Sequence, residues 1–226
     1  MGKTAMMITA GLISLVISAS LEAEPAEFQV GLAFSPGLPR GEFREELGRT
    51  VWGGTLLFAY RPGMSPFLIG TSLGFGAYNS DRWSTWLGIT DPDVLVDVRT
   101  TNALLTWYLF LRLQPVRGIL RPYLDVFAGW HVLSTDTRIG YGDFSGNNSS
   151  DAAFAYGAGG GVQLPIIRFL HPGGRIAWAM ELDLGLRYAK GGRAEYLVET
   201  EKIGTYDFRT SRTDLLTLSA GLSFIF

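Results

Sequence analysis

From Phe28 to Phe226 large apolar residues occupy every second position through successive short stretches, with small or polar residues between them. Phe28, Val30, Leu32 and Phe34 share one face, against Gln29, Gly31, Ala33 and Ser35. Trp52, Leu56, Phe58 and Tyr60 repeat the pattern, with Leu57 interrupting the small face, and Phe67, Ile69, Leu73 and Phe75 oppose Gly70, Ser72, Gly74 and Gly76. Alternation with a period of two specifies strands, because a helix would bring apolar residues together three and four apart. The same reading holds for Leu105–Leu111, Leu124–Val132, Phe154–Leu164, Trp178–Tyr188 and Leu216–Phe226, which makes eight strands. Just upstream of the fourth, "VLVDVRT" has the opposite parity, and this predicts a bulge near Thr100 to Asn102.

The connections alternate in length. "RPGMSP", "QPVRGILRP" and "RFLHPGG" are short, while long polar stretches follow the first, third, fifth and seventh strands. Short turns at one end and long loops at the other predict an all-β, eight-stranded antiparallel up-and-down transmembrane β-barrel. In hydrocarbon every backbone polar group must be paired within the protein, so a spanning sheet has to close on itself. The aromatic-rich face then meets lipid, and the small, polar face fills a lumen just wide enough for side chains. Aromatics at strand ends, including Trp52, Tyr60, Phe67, Trp130 and Tyr188, fit girdles at the two interfaces. On the inward parity lie Arg112, Asp125, Glu181, Asp183 and Arg187, expected to neutralise one another in a barrel-interior polar network.

Composition narrows the picture further. Charged residues are 18% of the chain, below the roughly 25% of soluble proteins, and mean hydropathy is +0.18. A net charge of −2 excludes a broad nucleic-acid footprint. With no Cys, thiolate metal sites are excluded, and with two His neither a multi-histidine metal site nor a cofactor is expected. The first residues read as a cleaved secretory signal peptide over 1–23: Lys3, then the apolar "AMMITAGLISLVISA", then "SLEAE" with cleavage after Ala23 or Ser20. The apolar run is shorter than a spanning helix requires. Residues 24–226 then form the barrel domain of an exported protein, in contact with outer-membrane lipid.

With "RPYLDVFAGW" (Arg121–Trp130), "FAYGAGGGVQL" (Phe154–Leu164) and the terminal strand, the chain resembles the small eight-stranded outer-membrane proteins typified by the OmpA transmembrane domain and OmpX. The resemblance implies location in the outer membrane of a Gram-negative-type bacterium, with both termini in the periplasm. It also implies that Ser219, Gly221, Phe224 and Phe226 form a C-terminal signal read by the outer-membrane assembly machinery.

Three functions follow as expectations. The first is a non-catalytic barrel with a structural or binding role, meeting an unknown extracellular ligand through loops that carry Trp83, Trp86, Tyr141, Phe144, Tyr196 and Tyr206. The second is a lipid A-modifying acyl hydrolase built on His131, Ser134 and Asp136. A spacing of three places His131 and Ser134 on opposite faces of a regular strand, so that triad needs a local distortion. The third is a narrow channel for small solutes along the inward polar row. His171 lies in a short turn without evident partners, and "NNSS" at Asn147–Ser150 reads as a loop tip.

Overall fold

The structure, a computed structural model, describes residues 27–86, 95–116, 118–139, 149–170, 176–199 and 206–226. The signal-peptide reading, His171, and Asn147 and Asn148 of "NNSS" lie outside them. In chain order the elements are β1 (Glu27–Phe34), β2 (Gly37–Pro39), α1 (Glu42–Leu47), β3 (Trp52–Arg61), β4 (Phe67–Trp86) and β5 (Leu95–Leu113). They continue with β6 (Arg121–Ile139), β7 (Ser149–Leu170), β8 (Ile176–Gly191), β9 (Arg193–Glu199), β10 (Tyr206–Arg212) and β11 (Leu215–Ile225). Sheet order is β1-β3-β4-β5-β6-β7-β8-β11, every neighbour antiparallel, and β1 pairs back onto β11 from Gln29↔Ile225 to Phe34↔Ala220. Eight strands therefore close a barrel.

β1 and β2 are one barrel strand with an interruption. Phe34 faces Ala220 and Gly54, and Gly37 faces Thr217 and Val51, so the register passes unchanged across Ser35–Pro36. Pro36 has no N–H to give, yet its carbonyl accepts from Leu218 N at 3.0 Å, which keeps the seam closed. The register also fixes the barrel's dimensions. Partners followed once around the wall run Phe28, Tyr60, Ile69, Leu111, Val126, Ala158, Tyr188, Leu216 and Leu38. The path returns to the first strand ten residues along, from position 28 to 38, a shear of ten for eight strands. That stagger requires strands tilted by roughly 35–45° and lifts the wall by about 24 Å per circuit.

The faces fall as the alternation predicts. Phe28, Phe75 and Leu124 are 55%, 61% and 66% exposed on the outside, whereas Arg112 and His131 are 1% and 0% exposed within. Phe28, Tyr60 and Phe67 mark the short-turn rim, and Trp52, Trp130 and Phe154 mark the long-loop rim. The apolar belt between them matches the ~25 Å height that a bilayer requires.

Two features differ from expectation. The irregularity near Thr100–Asn102 lies on the facing strand: Ala77 pairs with Ala103 and Asn79 with Asn102, so Tyr78 is the extra residue, while β5 pairs with β6 without a break. The expected bulge in β5 is thus absent, and the extra residue belongs to β4. The long loops are also substantially ordered. β4 continues to Trp86, β6 to Ile139, and the last loop holds the β9–β10 hairpin, because cross-strand pairing sustains strands of polar composition.

Within the first loop, α1 places Phe43 and Leu47 on one side at a spacing of four, and both are buried. It ends at Gly48, whose φ of +62° and N–H to the Arg44 carbonyl form a left-handed cap. Phe43 enters the outer mouth and meets Tyr196 edge-on at 5.6 Å. With Val51, Leu104, Leu133, Ala153 and Leu215 they form an apolar stopper over the lumen.

The Gly161–Gly185 pair of β7 and β8 makes room for the Tyr123 hydroxyl: a Cβ at either position would lie 2.5 Å from it. Gly161→Ala is expected to displace Tyr123 and lower the unfolding free energy in lipid vesicles by about 1–3 kcal/mol, measured by urea titration.

Candidate functional site

The inward residues of β5, β6 and β8 build a charged layer at mid-barrel. Arg112 and Asp125 are direct cross-strand partners, and the guanidinium grips the carboxylate with Nε–Oδ1 at 2.7 Å and Nη2–Oδ2 at 3.1 Å. Arg187 reaches the same carboxylate from β8, donating to Oδ2 at 2.7 Å, and also donates to Ser72 Oγ at 3.2 Å. Arg112 lies over the Tyr123 ring at 3.6 Å, and the Tyr123 hydroxyl donates to Asp183 Oδ1 at 2.7 Å. Two cations and two anions thus cancel in a space without bulk water, the condition for burying them at all.

Glu181 belongs to a second layer, nearer the short turns. Its Oε2 accepts from Arg121, and its Oε1 from Arg168 at 2.8 Å. Arg61 donates to the Gln114 carbonyl at 3.1 Å and to Gln114 Oε1 at 3.0 Å, with Glu27 Oε1 3.4 Å from its Nε. Gln163 joins the layers: its Oε1 accepts from Gln114 and Arg121, and its Nε2 donates to Asp183 at 2.7 Å. The predicted interior five therefore divide into four residues and one, linked through a glutamine. Arg61, Gln114 and Arg121 escape a reading of the sequence because they sit inside segments that look like turns. Their signal is parity, since Arg121 shares the inward register of Tyr123 and Asp125, and Arg61 that of Ala59.

Little space remains. A cavity of about 50 Å³ lies beside Gly31, Ser219, Ser223, Arg112 and Arg187, and a second of about 30 Å³ lies above it near Thr55 and Thr106. Each holds a few waters at most. Across the lumen, Phe110, Phe127 and Tyr108 pack against one another above the charged layer.

His131 is enclosed in this outer half. Its Nε2 meets the Tyr108 hydroxyl, and its Nδ1 lies 3.1 Å from Thr213 Oγ1. Thr213 Oγ1 also lies 3.2 Å from the Gly192 carbonyl, which only accepts. The threonine hydroxyl donates there and accepts from Nδ1–H, leaving Nε2 to accept from Tyr108. Both ring nitrogens are thereby occupied by structural partners. Ser134 stands exposed on the opposite face, and the Asp136 side chain lies outside the described residues. The structure does not bring His131 and Ser134 together.

The arrangement is the inverse of a soluble barrel: the wall is closed, bulky apolar residues face outward, and ion pairs fill the inside. Only a hydrocarbon surround makes that inversion stable. The fold is that of the small eight-stranded outer-membrane β-barrels. Its inside-out closed wall makes the chain an integral membrane protein that crosses the bilayer with strands. No family model matches the chain, and no curated protein does. Among solved structures it is similar to Neisserial surface protein A, at 15% identity over 88% of this chain and 95% of that one, with a TM-score of 0.46. It is similar also to a major outer membrane protein from Thermus thermophilus, at 14% identity over 90% and 100% of the two chains, TM-score 0.49. The outer membrane protease OmpT of Escherichia coli aligns at 11% identity over 91% and 98%, TM-score 0.36. Likenesses at such identities concern the fold alone.

In this outer-membrane barrel Ser219 and Gly221 face inward, and Phe224 and Phe226 face lipid beside the β1–β11 seam. Of the loop aromatics, Tyr196 is buried, its hydroxyl 2.7 Å from Ser211 Oγ. The side chains of Trp83, Trp86, Tyr141, Phe144 and Tyr206 lie outside the described residues. Asp125→Ala leaves Arg112 and Arg187 buried without their shared partner and is expected to cost about 3–5 kcal/mol of unfolding free energy in vesicles. Asp125→Leu combined with Arg112→Met is expected to cost less than the single change, which a urea titration of both variants reads directly.

Proposed function

We propose that this outer-membrane barrel is non-catalytic and acts by binding an extracellular ligand through a sheet that projects beyond its outer rim. The observation that carries this reading is the length of β4, β5 and β6. β3 leaves the β4 ladder at Trp52↔Ala77, yet β4 and β5 stay paired to Trp86↔Leu95, and β5 and β6 to Val98↔Ile139. The sheet therefore stands about 20 Å above the rim. Among the described pairings, Asn79–Trp86 has only β5 beside it, and Asp136–Ile139 likewise. Open edges of this kind offer unpaired backbone groups to an extended partner. A filled lumen and an occupied His131 support the same reading, since they leave the exterior as the accessible surface.

Asn79 and Asn102 are direct partners, so residues 80–101 can be replaced by an Asn-Gly turn without touching the wall below. Cells displaying the full chain are expected to bind at least one of fibronectin-, laminin- or collagen-coated surfaces about tenfold more tightly than cells displaying the trimmed one. Equal binding on every surface would overturn the proposal. Lipid A mass spectra are expected to be identical in cells expressing the native chain and His131→Ala, and the loss of one acyl chain only with the native protein would establish an enzyme instead.

A further inference from the structure

The short-turn end of the barrel is not level. β6 leaves β7 at Arg121↔Gln163, but β7 runs on to Leu170, held by β8 through Ile167↔Met180 and Phe169↔Trp178. A register shift at Ile166 reverses the parity there, so Ile167 and Phe169 come to the outer face while Arg168 turns inward to Glu181. Phe169 and Trp178 stack at 4.5 Å, each with its outer side uncovered. The β5–β6 turn joins this foot, because Arg168 Nη1 donates to the Gly118 carbonyl at 3.0 Å. Beside that contact Ile119 is 83% exposed and Leu120 58%. At the strand tilt set by the shear, these residues descend about 5–10 Å below the girdle at Phe28, Tyr60 and Phe67.

We propose that this foot, formed by Ile119, Leu120, Ile166, Ile167, Phe169 and Trp178, is a membrane contact immersed in the phospholipid of the inner leaflet. Three observations select lipid as its occupant. The patch runs into the belt along the outward parity of Leu120, Pro122 and Leu124, all three exposed, with Leu124 66% exposed on the lipid face. Its one charged side chain among the described residues, Arg168, is turned away to Glu181 and Gly118. Its stacked Phe–Trp pair has the composition of an interfacial girdle. The opposite wall ends higher: β3 and β4 are joined at Arg61–Phe67, directly below their girdle residues, and that turn exposes a single large apolar residue, Met64. The belt of lipid contact is thus deeper beneath β6–β8 than beneath β3–β4, and the barrel either leans or draws the inner leaflet down on that side.

The absence of cysteine from the chain makes the test direct. Ile119→Cys and Ile166→Cys, each carrying a nitroxide, are reconstituted in phosphatidylethanolamine–phosphatidylglycerol vesicles. Their collision rates with oxygen and with a water-soluble nickel chelate are then compared. Leu124→Cys provides the lipid reference and Arg193→Cys, on the extracellular hairpin, the aqueous one. All four positions are at the surface of the fold, so the substitutions leave the core untouched. Both foot labels are expected to resemble Leu124→Cys, with high oxygen and low chelate accessibility. A chelate accessibility at either foot label equal to that of Arg193→Cys would overturn the proposal.

Discussion

The ladder between β1 and β11 is the interaction on which the rest of the structure depends. Inside a bilayer an open sheet edge leaves a row of N–H and C=O groups without partners, at several kcal/mol each. Pairing Gln29–Phe34 with Ala220–Ile225 removes both edges at once, and the carbonyl of Pro36 carries the seam past the interruption between β1 and β2. Closure with a shear of ten then sets the tilt, and the tilt sets the height of the apolar belt. A Cβ at Gly221 would meet the backbone of Leu32 and Ala33.

A closed wall of eight strands leaves an interior that must be filled by its own side chains, and this barrel fills it in two chemically different halves. Toward the short turns the filling is ionic, with Asp125 shared between Arg112 and Arg187, and Glu181 between Arg121 and Arg168. Toward the outer mouth it is apolar, closed by Phe43 and Tyr196. Arginine suits the ionic half because its planar fork meets a carboxylate through two donors and also stacks on Tyr123.

The strands are legible in the sequence because lipid and lumen impose opposite demands on alternate residues, so each segment carries its face assignment in its parity. Leu57, Phe110 and Phe127 are among the exceptions on the small face, and all three are buried filling. The interior network is legible where a charge falls within a clear strand, as at Asp125 and Arg187. It is not legible at Arg61, Gln114 and Arg121, whose turn-like neighbours Pro62, Pro115 and Pro122 conceal their inward register. The helix and the strand extensions within the loops are the least legible. Phe43 and Leu47 form too short a helical signal to stand out, and the extension of β4 to Trp86 depends on a partner strand rather than on its own composition. His131 shows its inward parity in the sequence, but its bonds to Tyr108 and Thr213 join residues from three strand regions that no local pattern connects.

Closure is therefore the claim to test first. Leu32 and Leu222 are registered partners across the seam, and Leu56 and Leu73 are partners within the wall, both hydrogen-bonded pairs that face outward. In a chain free of native cysteine, Leu32→Cys combined with Leu222→Cys is expected to cross-link on oxidation in intact outer membranes as readily as Leu56→Cys combined with Leu73→Cys. A cross-link that forms between β3 and β4 but not between β1 and β11 would mean that the sheet is open, and would contradict the account.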